Sequence, residues 1–348
     1  MAVAHIDPAA AGFSVGLGER LDAAARDGTL SPVHAIALSR HGRLVLERYF
    51  AGDDQTIGEP PLGRVAFTGE TLHDLRSVTK SIVGLLYGIA LGRGLVPALD
   101  APIVDSFPEY PDLVADPPRR RLTVAHALSM TLGLEWDESL PYTSTANSEI
   151  AMEFAPDRYR FTLDRPIVAE PGAGWIYSGG AVAIIGALIE RGSGRRLPEF
   201  AREALFAPLG ISRSAWFAGQ DGAYSAAAGL RLGARDLLRI GDMLADGGRY
   251  AGRQVVPGDW LEQSWTPRTT TSWGQPYGYL WYIDSLRPPA YPNGTRGVAG
   301  YGNGGQRLFV LPEAGVACAI LAGLYDTPGA EQGPERIWRD YILPGFVG

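Results

Sequence analysis

The stretch "LRSVTKSIVGLL", residues 75–86, holds the only lysine of this chain: Lys and Arg together number 31, and every one but Lys80 is Arg. From Ser77 onward Ile82, Val83, Leu85, Leu86, Ile89 and Ala90 recur at helical spacing until "GRG" at 92–94 ends the run. The pattern predicts a long, mostly buried helix. Residues three apart share a helix face, so Ser77 and Lys80 present a hydroxyl and an amine side by side on the first turn. A serine hydroxyl is a weak nucleophile until a base takes its proton. A desolvated amine can do this, whereas a guanidinium stays protonated at any accessible pH. Arginine replaces lysine where charge alone is needed, and Lys80 stands where deprotonation is needed. A helix start also offers free N–H groups and positive potential to a developing oxyanion. Ser-x-x-Lys by itself is short enough to arise by chance.

Around this helix the sequence divides. A helix is expected over residues 15–27, followed by two strand-like runs in "HAIALSRHGRLVLERYFAG", with Gly42 supplying the hairpin turn. Helical patterns fill "TVAHALSM", "SGGAVAIIGALIERGSG", "LPEFAREALFAPLG" and "ARDLLRIGDMLADGG", broken by Pro- and Gly-rich links. Strand character returns in "YGYLWYID", "QRLFVLPE" and "GVACAILAGL", and "GPERIWRDYIL" reads as a closing helix. The expected fold class is therefore α/β (α+β). Residues 1–94 and 266–348 form an antiparallel sheet from both chain ends flanked by helices. Residues 95–265 form an inserted, mainly helical domain, with the site in the cleft between the two.

A chain of 348 residues with 46% hydrophobic content can bury a large core. Net charge is −7, and no basic run exceeds Arg119–Arg121, so nucleic acid is excluded as a partner class. Cys318 is the single cysteine and sits in an apolar strand, which rules out an internal disulfide. The five histidines show no metal-ligand spacing, so neither a metal nor a cofactor is expected. "MAVAHIDPAAAGF" lacks the basic start and apolar core of a signal peptide, and no apolar run reaches spanning length. These features point to a cytoplasmic protein, monomer or homodimer, that does not enter membranes. "G-F-S-V-G" at 12–16 has no strand before it, and "G-Y-G-N-G-G" at 300–305 precedes a strand, so neither a nucleophile elbow nor a dinucleotide loop is read there.

Together "HGRLVLERYF", "LRSVTKSIVGLLYGIALGRGLV", "ALSMTLGLEWDES", "PGAGWIYSGGAVAIIGALIERGSG" and "GYGNGGQRLFVLPE" resemble the serine β-lactamase and penicillin-binding-protein superfamily, in the expected order over nearly the whole chain. The resemblance is to its class C-like branch, with esterases and 6-aminohexanoate-dimer hydrolases as the nearest-looking relatives. It implies a β-lactamase/transpeptidase-like fold and a second motif at "Y-S-G", with Tyr177 beside the serine and lysine as a partner that shares a proton with Lys80. It implies a third motif at Gly300, Tyr301 and Gly302, and an oxyanion hole formed by the backbone N–H groups of Ser77 and Asn303. Asp137, Glu138 and Tyr142 then lie at the mouth, where a substrate amine would be received. Trp281 and Tyr301 wall the acyl pocket, Gly302 borders it, and Gln306 buttresses the turn.

Two departures bear on substrate. Gly300 replaces the basic residue that holds a lactam's carboxylate in this superfamily, and Gly179 replaces the Asn that holds its amide. The expected activity is hydrolysis of a small ester or amide through an acyl-enzyme on Ser77, with Lys80 and Tyr177 moving the protons. The alternatives are a β-lactamase and a non-hydrolytic penicillin-recognising sensor that acylates but turns over poorly.

Overall fold

The computed structural model describes residues 5–30 and 32–348. Residues 1–4, the start of the stretch read for signal-peptide character, lie outside the described residues, as does Ser31. In chain order the elements that matter for the site are α1 (Leu17–Arg26), β1 (Val33–Arg40), β2 (Arg43–Tyr49), α2 (Val78–Gly92), α3 (Ser148–Glu153), α4 (Gly179–Ser193) and α5 (Ala234–Ala245). They continue with β3 (Thr269–Thr270), β4 (Pro276–Tyr277), β5 (Tyr282–Leu286), β6 (Thr295–Gly302), β7 (Gln306–Leu311), β8 (Val316–Ala322) and α6 (Gln332–Arg336). A separate hairpin of Ala51–Gln55 and Pro61–Ala66, several shorter helices and strands of two or three residues complete the described chain.

One antiparallel sheet of eight strands runs in the order β3-β4-β5-β6-β7-β8-β1-β2. The N-terminal hairpin joins the C-terminal strands through β1 and β8, with Leu38 opposite Cys318. The sheet thus comes from both ends of the chain. Between β1 and β2, His41 and Gly42 have φ of 48° and 69°, the paired left-handed turn whose twist matches that of the strands it joins. Every residue of β7 and β8 is buried, as continuous apolar strands covered on both faces require.

α5 packs against β1, β7 and β8, although it lies within the 95–265 segment, and α2 packs against β6, β7 and α4. The approach of α5 depends on Gly241, where a Cβ would stand 2.7 Å from the Ala317 Cβ. α2 is buried without a break from Val78 to Ala90, which is why its sequence is apolar all round rather than striped. It lies between the sheet and the helical region and carries its first turn to the boundary between them. Among the described residues no helix is long and apolar enough to cross a membrane.

Candidate active site

The turn that presents Ser77 is fixed before the helix begins. His73–Asp74 pairs with Leu230–Leu232, and the Asp74 carboxyl accepts the N–H groups of Arg76 at 2.9 Å and Ile57 at 2.8 Å. Arg76 has φ of 46°, a conformation that costs a non-glycine residue about 1–3 kcal/mol and persists only where the surroundings impose it. Ser77 follows as the residue that caps α2. Thr79 Oγ1 accepts from Leu230 N at 3.2 Å, and Ser81 Oγ donates to Leu280 O at 2.6 Å, so the first turn is tied on two sides.

Lys80 Nζ lies 3.0 Å from Ser77 Oγ and donates to Ala227 O, also at 3.0 Å. The side chain is only 2% exposed. Its nitrogen sits 4.8 Å from the centroid of the Tyr177 ring. Tyr177 precedes Ser178, whose hydroxyl caps α4 by accepting from Ala181 N at 3.1 Å, so the tyrosine is delivered by the entry into that helix. Burial pushes the Tyr177 phenol well above 10, the Glu138 charge adds to this, and the Ser77 hydroxyl acts in the opposite sense. Burial first, and then the charges of two neighbouring acids, hold this phenol protonated, so a phenolate favoured by Lys80 is not its resting form.

Those acids are Glu138 and Glu149. Glu138 Oε1 accepts from Trp136 Nε1 and from Gly179 N, each at 2.6 Å, and Oε2 accepts from Tyr142 Oη at 2.8 Å. Gly179 is the first residue of α4, so this carboxyl sits at the positive end of the helix. Glu149, in the first turn of α3, is 1% exposed and reaches within 3.6 Å of Lys80 Nζ through Oε2. Nothing in the sequence around "NSEIAME" marks it; its only trace is the glycine at 179. A Cβ there would stand 2.8 Å from the Glu149 carboxyl, so this carboxyl fills the room that the Asn of the second motif would need. At Gly300 a Cβ would lie 3.1 Å from Ser81 Oγ, where β6 meets the first turn of α2.

Ser77, Tyr142, Tyr177, Tyr301, Gly302 and Asn303 line one cavity of about 920 Å³. Gly302 lets β6 reach the serine: a Cβ there would come within 2.4 Å of Leu75 O. Asn303 Oδ1 accepts from Asp326 N at 2.8 Å, and the buried Gln306 amide donates to Asn303 O at 3.2 Å and to Ala322 O at 2.6 Å. Gln306 thus braces the turn from behind, away from the cavity. Trp281 is wholly buried and stays outside the lining; side chains alternate along the segment leading into β5, and Tyr282 faces the cavity instead. Asp137 is exposed and accepts from Ser139 N at 2.8 Å, a solvated turn carboxylate. Sequence reasoning missed Trp273, Gln275, Tyr282 and Trp338, which also line the cavity. They come from a loop, a strand and the C-terminal helices, with no shared motif.

The profile of the family described as Beta-lactamase matches residues 21–340. Esterase EstB from Burkholderia gladioli is 32% identical over 225 residues, 61% of this chain and 55% of EstB. A 6-aminohexanoate-dimer hydrolase from Paenarthrobacter ureafaciens is 28% identical over 210 residues, 57% of this chain and 52% of that protein. The chain spans about half the length of the curated relatives it matches. Among solved structures, EstCE1, described as a hydrolase with promiscuous acyltransferase activity, superposes with a TM-score of 0.71 at 16% identity, covering 96% of this chain and 99% of its own. At that identity the likeness shows the fold.

Proposed function

The chain belongs to the Beta-lactamase family and has its β-lactamase/transpeptidase-like fold, and from that premise we propose that it is a serine hydrolase cleaving a small ester or amide through an acyl-enzyme on Ser77. The observation that carries this reading is the 3.0 Å approach of the buried Lys80 amine to a Ser77 hydroxyl opening on a cavity. Lys80 takes the Ser77 proton as Oγ attacks the carbonyl carbon. Backbone N–H groups of Ser77 and Asn303 receive the charge that develops on the carbonyl oxygen, a type of donor whose loss costs about 100- to 1,000-fold in rate. Tyr177, held as a neutral phenol, gives its proton to the leaving group and regains one from Lys80. Water then enters by the same route in reverse and releases the acid.

The cavity walls are mixed: Tyr177, Tyr282, Tyr301, Trp273 and Trp338 offer aromatic surface, and Asp284, Arg307 and Glu335 also line the cavity, so an acyl or leaving group with an aromatic or aliphatic part has surface to pack on. With glycine at 179 and 300, side-chain holds for a lactam's amide and carboxylate are missing from those two positions, which supports ester or simple amide over penicillin. A cytoplasmic location, as monomer or homodimer, belongs to the same reading and is checked by cell fractionation and light scattering.

The decisive experiment compares wild type with Ser77→Ala on p-nitrophenyl butyrate and on a phosphonofluoridate probe. Steady turnover and labelling by wild type, both abolished in Ser77→Ala, are expected. Labelling that persists in the variant puts the nucleophile elsewhere. A burst without turnover in wild type replaces the hydrolase by an acylating sensor.

A further inference from the structure

The reaction above requires a lone pair on Lys80 Nζ when Ser77 gives up its proton. Lys80 Nζ is paired with Glu149 Oε2 at 3.6 Å, and an ammonium has no lone pair with which to accept from Ser77. Glu149 is 1% exposed, and no N–H or hydroxyl group donates to either of its carboxyl oxygens, which leaves the acid form of the adjoining Glu138 as its remaining donor. Glu138, its neighbour, is by contrast fully supplied, by Trp136, Gly179 and Tyr142. A buried carboxylate lacking such donors is costly unless its partner requires it. The chain keeps this one, and keeps Gly179 beside it, where any side chain would displace it.

We propose that Glu149 is a positioning residue acting through Lys80, which takes one proton from the Lys80 ammonium as that nitrogen takes the proton of Ser77. The balance closes. The Ser77 O–H bond breaks and an N–H bond forms; a second N–H bond of Lys80 breaks and an O–H bond forms on Glu149. Lys80 remains an ammonium, Ser77 Oγ is acylated, and the proton on Glu149 returns through Lys80 to the Tyr177 oxygen after the phenol has protonated the leaving group. The inference rests on the serine-hydrolase reading and adds to it a group outside the Ser-x-x-Lys and Tyr motifs.

The groups facing this carboxyl are Lys80 from α2, Tyr177 from the entry to α4, and Glu138 and Tyr142 from the loop between residues 137 and 143. Burial and then the Glu149 charge push the Glu138 carboxyl up to about 8, because two adjoining buried carboxyls do not readily both ionise. Glu138 takes up its proton as pH falls and shares it with the adjoining Glu149 carboxyl, which weakens Glu149 as an acceptor, so wild-type kcat/KM declines toward acid pH.

The test measures p-nitrophenyl butyrate kinetics from pH 5 to 9, together with single-turnover phosphonofluoridate labelling, for wild type, Glu149→Gln, Glu149→Asp and Glu138→Gln. In Glu149→Gln both rates are expected to fall about 100-fold or more, with a flattened acid limb, and Glu149→Asp recovers part of the loss. Glu138→Gln moves the acid limb to lower pH by removing the carboxyl that takes up the proton there. A folded Glu149→Gln protein with wild-type rates, or one that is slower with an unaltered acid limb, overturns the inference. Should that variant fail to fold, an unmoved acid limb in Glu138→Gln overturns it equally. Absence of turnover and Ser77 labelling in wild type defeats the hydrolase reading instead, so the two failures are distinct.

Discussion

Replacing Lys80 separates its charge from its titratable proton. Lys80→Arg keeps a cation that can still pair with Glu149 and donate to Ala227 O, but a guanidinium cannot give up its proton. Loss of a general base lowers the rate about 10²- to 10⁴-fold, which is about 3–5 kcal/mol of barrier at 1.36 kcal/mol per decade. Its stability should stay close to wild type apart from the crowding of a larger head group. Lys80→Met removes the charge as well. Glu149 is then left without its partner, and breaking a buried pair in this way costs about 3–5 kcal/mol. A stability deficit of that size is therefore expected in Lys80→Met at pH 8, whereas Lys80→Arg should show the kinetic defect without it. Steady-state hydrolysis of p-nitrophenyl butyrate gives the kinetic defect and urea unfolding at pH 8 gives the stability deficit. Activity of Lys80→Arg within tenfold of wild type refutes proton acceptance by Lys80. A Lys80→Met protein as stable as wild type at pH 8 refutes the charge pairing with Glu149.

Gly302→Ala tests the approach of β6 to the serine. The added Cβ would lie 2.4 Å from the Leu75 carbonyl oxygen and 2.9 Å from the Gln306 Cβ, and a backbone atom cannot swing aside as a side chain can. An overpacking cost of about 1–3 kcal/mol is expected, with a fall in kcat of tenfold or more as Asn303 moves away from Ser77; a wild-type kcat in the folded variant refutes the role of this contact. Asp242 lies far from the site, where its carboxyl accepts from Ser39 Oγ and burial pushes it up to about 6. The folded chain therefore holds this proton more tightly than the unfolded one, and stability is lost as pH rises from about 4 to about 6, by at most about 3 kcal/mol. Asp242→Asn keeps an acceptor for Ser39 and removes the charge, so urea unfolding should show a gain at pH 7 that vanishes at pH 4. An equal gain at both refutes the titration argument.

What was legible in the sequence and what was not follow from the range of the forces involved. Ser77 and Lys80 were readable because a helix brings residues three apart together whatever surrounds it, and the uninterrupted apolar run announced a helix buried on every side. The strands at the two chain ends were readable from their own composition, and His41 and Gly42 from the turn they form. α5 shows the limit: its amphipathic pattern marked a helix, but only the sheet decides which face of the molecule it covers, and it joined β1, β7 and β8 from within the helical segment. Trp281 shows the same limit over one residue, since an alternation can be seen in "YLWYID" while the side that faces the cavity cannot. Glu149 was beyond reach altogether. It lies 69 positions after Lys80 in the chain, in a short helix whose first turn would carry an acid for reasons of its own, because a carboxylate there complements the helix dipole. Its imprint was nonetheless present as a missing side chain. The glycine at 179 marks the loss of a substrate contact when the second motif is considered alone, but beside Glu149 it becomes the space a buried carboxyl needs, so one small residue both withdraws a hold on lactams and admits a charged partner for the lysine. Restoring a side chain there by Gly179→Asn should accordingly disturb Lys80 before it improves any grip on a lactam. Nitrocefin hydrolysis gained with ester turnover intact would overturn that reading of the glycine.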